Sequence, residues 1–216
     1  MAPKSKLLNT VESLKDELDE TEKLAAAAEQ WAVARFPPSV PRFLPRHKEI
    51  VVKFAFLEGF LAWEAFLDES FTLYLLGEKP PKGRSPKLEH TATRRKDAER
   101  LITGADRKYA DWTKTDVLRK RSKIFFRRND PYDSPMKANN RSFEEMKIIR
   151  NAIAHRSTHS NEEFKRVVRK FFKTYPPKLT VGKFLRLPVP NVNPPQTFMT
   201  YYFGSVVATA SLIVPH

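Results

Sequence analysis

The sequence predicts an all-α protein. Phenylalanine occurs sixteen times and glycine six, a balance suited to packed helices. In the N-terminal third one long segment keeps apolar residues at helical spacings of three and four, and a second is apolar on most faces. With 216 residues, the chain supports one good core, or one domain and a small appendage. The expected architecture is a bundle of long antiparallel helices over residues 1–175, with a basic insert at about 78–141. A Pro-rich extension over 176–216 is expected to pack on that bundle.

Residues 5–35 read as the first helix. Leu7, Val11, Leu14, Leu18, Leu24, Ala28 and Trp31 form its apolar stripe, and acids dominate the other faces. Pro37, Pro38, Pro41 and Pro45 then end helical structure and make an extended connector. Residues 46–76 predict the second helix, apolar on most faces and therefore central. Gly77 is its expected stop. Glu58 and Glu64 lie in the most apolar part of that run, where a buried carboxylate is costly unless paired.

Residues 78–87 are rich in Pro, Gly and Lys and read as a loop. One helix or two follow over 88–128, with a break near Gly104. Residues 129–141 read as a polar loop. Ser142 and Glu145 have capping-box spacing and predict the start of the next helix, whose core stripe is Phe143, Met146, Ile149 and Ile153. Ser160 and Glu163 repeat the spacing and predict a helix over 161–174, with Phe164, Val167, Val168, Phe171 and Phe172 inward. The prolines of 175–196 predict irregular chain with a short extended piece around Val181–Leu187. Thr197 to Val214 carries no formal charge. Its hydroxyls, Thr200 and Thr209 among them, argue against a membrane span and for a buried helix or strand.

The net charge of +14 and pI near 10.0 point to a polyanionic partner, nucleic acid before an acidic protein or a membrane surface. The excess is concentrated: residues 82–128 hold 16 Lys/Arg against 6 Asp/Glu. Arg119, Lys120, Arg121, Lys123, Arg127 and Arg128 flank Ile124, Phe125 and Phe126. The cations read as an RNA-backbone track and the phenylalanines as core. The chain has no cysteine, which excludes disulfides, Cys-ligated zinc and thiol nucleophiles and is compatible with a reducing cytoplasm. The first residues lack the apolar stretch of a secretion signal. No Gly-rich phosphate loop, G-x-S-x-G elbow or H-E-x-x-H pattern is present. His47, His90 and His216 are too scattered to suggest a metal site, so neither metal nor cofactor is expected.

One helix turn carries chemistry. Arg150-Asn151-Ala152-Ile153-Ala154-His155 brings a guanidinium, an amide and an imidazole together. Arginine holds a phosphate by charge-assisted, bidentate contacts. Histidine transfers protons near neutral pH. Asn151 and His155 share a helix face; Arg150 lies about 140° from His155 at ~100° per residue, within reach of a long side chain. In RNA the 2′-hydroxyl is a nucleophile beside the scissile phosphate. Cleavage then needs a proton acceptor, a proton donor and a cation for the phosphorane. These residue types supply them without a metal.

The stretch MKIIRNAIAHRS resembles the R-N-x-x-x-H signature of the HEPN superfamily, whose active members are metal-independent RNases. Trp63-Glu64-Ala65-Phe66-Leu67 resembles the early helix of that superfamily, in particular its RiboL-PSP-HEPN-like branch. The resemblance spans roughly residues 46–175, and its specific part is the motif helix. It implies a HEPN-like helical bundle that dimerises through the motif helix, so that two Arg-Asn…His sets form one composite RNase centre. It implies Arg150 and His155 as catalytic residues, Asn151 as their support, and Glu64 as an acid that fixes Arg150. It also implies a toxin–antitoxin or antiphage-defence setting with a possible antitoxin partner. The rival expectation is a non-catalytic HEPN-like module that binds RNA or protein. Many members paired with a minimal nucleotidyltransferase have a Tyr soon after the histidine. Here Arg156-Ser157-Thr158-His159 follows His155, which puts that partnership in doubt.

Overall fold

The computed structural model describes residues 5–33, 43–104, 110–155 and 157–216. Over those residues the chain forms nine α-helices and one two-stranded sheet, an all-α helical bundle as the sequence predicts. The elements are α1 (Lys6–Val33), α2 (Pro45–Leu75), β1 (Lys87–Leu88), α3 (Arg95–Thr103), α4 (Thr115–Phe125), β2 (Phe126–Arg128), α5 (Asp133–Ala138), α6 (Asn140–His155), α7 (Thr158–Phe172), α8 (Val181–Arg186) and α9 (Phe198–Ile213). Pro37, Pro38 and Pro41 of the expected connector lie outside the described residues, as do the last residues of the first predicted helix. Pro45 is the first residue of α2, where a proline's fixed φ suits a helix start and its missing N–H costs nothing.

The chain forms two compact units. One holds residues 1–16, 62–144 and 205–216; the other holds 17–61 and 145–204. In the first, Phe71 of α2 is the hub of an aromatic cluster. Its ring centroid lies 5.0 Å from Tyr132, 5.2 Å from Phe126, 5.4 Å from Trp112 and 5.7 Å from Phe125. Phe125 and Phe126 are thus core residues, as expected. Two tyrosine hydroxyls in the cluster find partners: Tyr132 meets Ser70 at 3.0 Å, and Tyr74 donates to the Ile213 carbonyl at 2.6 Å. α2 ends as its sequence predicts. Gly77 takes φ 84°, its N–H bonds the Tyr74 carbonyl and the Glu78 N–H bonds Leu73, a Schellman closure. β1 pairs antiparallel with β2 and sets Lys87 opposite Arg128.

In the second unit Phe198 plays the corresponding part, 4.1 Å from Phe184 and 4.7 Å from Phe171. Phe56 of α2 stacks on Phe203 of α9 at 5.9 Å. Gly59 permits that approach, since a Cβ there would overlap the Phe203 ring.

Several expectations need correction. The α1 stripe runs through Leu18, Ala25 and Ala28, all buried, while Leu24 and Trp31 are exposed. The supposed loop at 129–141 contains α5. The Asp130 carboxylate accepts the Tyr132 and Asp133 N–H groups and so makes the turn that leads into that short helix. Ser142 does not start the motif helix, because α6 is already helical from Asn140 and the Phe143 N–H bonds Asn139. Ser160 is not a cap either. Ser157 caps α7, and Ser160 returns the bond to the Ser157 N–H at 3.1 Å. The piece around 181–187 is helix α8, not extended chain; Thr180 caps it by accepting the Lys183 N–H. Residues 198–213 are a helix, and no described helix is long and apolar enough to cross a membrane.

Candidate active site

α6 presents the motif because its apolar residues leave no other choice of face. Phe143, Met146, Ile149 and Ala152 are buried, and Ile153 is half-buried. Arg150 and Asn151 are half-buried, and His155 is exposed as the last helical residue. The Arg150 guanidinium donates to the Asn151 side-chain oxygen at 3.3 Å. A neutral amide therefore orients the arginine without cancelling its charge. Among the described residues no hydrogen bond links His155 to Arg150 or Asn151. His159 is an exposed residue in the first turn of α7.

Glu64 is half-buried on α2. It belongs to the first unit and Arg150 to the second.

Glu145 is the residue that sequence reasoning misassigned. Placed as a capping acid, it is instead 1% exposed inside the second unit. Tyr202 donates to its carboxylate at 3.1 Å, and the Lys170 ammonium stands 3.3 Å away. A buried carboxylate of this kind survives only with such partners. It ties α6 to α7 and α9 five residues before Arg150. The signal was present: Glu145 sits one turn from Ile149, on the edge of the apolar stripe.

The basic insert divides into engaged and open cations. Arg119 donates to Asp133 at 2.7 Å, and Lys123 stands 3.4 Å from the same carboxylate. Burial raises the Asp133 pKa, but these two hydrogen-bonded cations outweigh it and hold the acid below its ordinary value. Arg121 lies over the Trp112 ring at 5.2 Å, and Trp112 donates to Asp68 at 2.9 Å. Arg95 pairs with Glu69 and Glu99. Lys120, Arg127 and Arg128 are exposed, as is Ile124 between them. Of the six cations expected on an RNA track, these three present their charge most openly.

No group of three described His, Asp or Glu residues is placed to hold a metal ion. Compared with family models, curated proteins and solved structures, the chain matches none.

Proposed function

We propose that this chain is a metal-independent endoribonuclease, acting in the cytoplasm as a homodimer in a toxin–antitoxin or antiphage-defence system. The observation that carries the reading is on α6. Arg150 is held by a neutral amide, and an exposed imidazole ends the same helix. In the proposed step the 2′-oxygen attacks phosphorus and gives its proton to one His155. The P–O5′ bond breaks, and a proton from the second copy's imidazole goes to the leaving 5′-oxygen. A 2′,3′-cyclic phosphate and a 5′-hydroxyl result. Arg150 neutralises charge on the phosphorane, and Asn151 orients Arg150.

The mechanism needs two copies, since one imidazole serves one transfer at a time. The resemblance assigns that contact to the motif helix. An apolar face on α2 favours self-association independently. Ile50, Phe54 and Leu61 are 53%, 59% and 50% exposed, at spacings of four and seven that put them on one stripe. Lys53 and Glu58 flank it with opposite charges, as a self-complementary contact needs.

The second reading is a non-catalytic RNA-binding module, favoured by the open cations Lys120, Arg127 and Arg128. Purified protein is incubated with end-labelled RNA in EDTA, beside His155→Ala and a DNA of matched sequence. RNA-only cleavage with cyclic phosphate ends, lost in the variant, supports the nuclease. Equal binding by both proteins without cleavage supports the module.

A further inference from the structure

The second unit contains a cleft of about 920 Å³, within the range of small-molecule sites. Its depth has a sequence cause. α1 turns Ala25 and Ala26 toward it, so that wall has no bulk. Leu179, Leu187 and Met199 supply apolar surface opposite the helix residues. The cleft is thus largely apolar, with charged groups at intervals.

Most of those charges are already matched. Asp19 pairs with Lys23 at 2.6 Å. Glu29 pairs with Lys48 at 2.7 Å and also with Arg186. Glu22 is different. It is half-buried, and its polar neighbour is the neutral hydroxyl of Thr200, which meets the Thr197 hydroxyl at 3.0 Å. The charge acting on it is that of Asp19, of the same sign. Burial holds its pKa above the ordinary carboxylate value against the nearby Thr200 hydroxyl, with a smaller push from Asp19. An ionised carboxylate in an apolar wall without a cation is a strained arrangement, and a bound cation relieves it.

We propose that this cleft binds small organic monocations with an apolar body, the ammonium seated on Glu22 and the body lying along Ala26, Leu187 and Met199. A neutral apolar ligand would desolvate Glu22 without compensating it. An anion at the same seat would meet Glu22 itself, while Lys23 and Arg186 of the lining are already paired with Asp19 and Glu29. A polycation would bring further charge toward Lys178 and Lys183, which also line the cleft.

Dansylcadaverine is a suitable probe, because it joins a primary ammonium to an environment-sensitive aromatic body. Its N-acetyl derivative keeps the body and lacks the charge. The expected result is saturable fluorescence enhancement with the amine and at least tenfold weaker binding of the acetylated form, roughly the weight of one ion pair. Glu22→Gln should reduce amine affinity to that of the acetylated probe and leave the acetylated probe's affinity unchanged. Ala26→Trp, at an exposed helix position, should abolish binding of both while the melting curve persists. Equal affinity for the two probes, no effect of Glu22→Gln, binding that survives Ala26→Trp, or no saturable binding to about 1 mM would each overturn the proposal.

Discussion

The basic insert and the motif helix both present arginine, and they use it differently. In the insert, Arg119 and Arg95 close on carboxylates and Arg121 lies on an indole. Their charge holds α3 and α4 in place. On α6, Arg150 meets only a neutral amide among the described residues. The richest stretch of positive charge is thus partly a structural scaffold, whereas a helix with little net charge carries an arginine whose charge no carboxylate cancels among the described residues. Net charge says that a polyanion is welcome; the partner of each cation says where it can act.

The largest expected effect tests the motif side of this contrast. His155→Ala should lower RNA cleavage by about 10²- to 10⁴-fold, measured as single-turnover rates in EDTA. Its melting temperature should stay unchanged, because the side chain is exposed. Arg150→Lys should fail to restore activity, since an ammonium cannot reproduce the planar fork. A destabilised His155→Ala protein would make the histidine structural and end the comparison.

Next in size is the carboxylate that α6 does bury. Glu145→Ala should cost about 2–3 kcal/mol by denaturant unfolding. Glu145→Gln should cost less, because an amide oxygen still accepts from Tyr202. Equal losses would mean that the charge contact with Lys170 dominates.

A smaller effect separates the insert's two kinds of cation. Exchanging Lys120, Arg127 and Arg128 for Gln should reduce the slope of log K for RNA against log salt by about 3. Exchanging Arg119 alone should leave the slope nearly unchanged and lower the melting temperature slightly. A reversed order would show that the Asp133-bound arginine reaches the nucleic acid.

The smallest effect is a pH dependence. Asp133 has a folded pKa below its unfolded value, so it contributes stability above the unfolded value, about 4. That stability is lost as pH falls through the folded pKa. Arg119→Gln should flatten this acid limb in melts between about pH 2 and 5.

What the sequence made legible follows from how each element is specified. α1 and α6 announce themselves by period, since Leu7, Val11 and Leu14, or Met146 and Ile149, recur at helical spacing, and α2 by the length of its apolar run. The Gly77 stop was equally readable. α5 and α8 are too short for a period and rest on the Asp130 turn and the Thr180 cap, inside stretches whose prolines read as loop. α8 also depends on a contact distant in sequence. A Cβ on Gly182 would stand 3.0 Å from the Glu49 carbonyl oxygen, a closeness no local window reveals. Glu145 was misread because a Ser-x-x-Glu pattern serves caps and helix interiors alike. Only the partners Tyr202 and Lys170 distinguish the two. The Arg150–Asn151–His155 set was visible in sequence order, whereas the partner of the arginine was not.

The contact between Gly59 and Phe203 has a consequence for how this chain can drift. A methyl at position 59 would overlap the ring and stand 3.0 Å from a Leu18 methyl. The two sites therefore hold a fixed volume between them. An ancestor or descendant with alanine at 59 should carry leucine or valine at 203, and the order of substitution matters. The ring must shrink first, leaving a tolerable void, because growth at 59 against an intact ring is the steeper path.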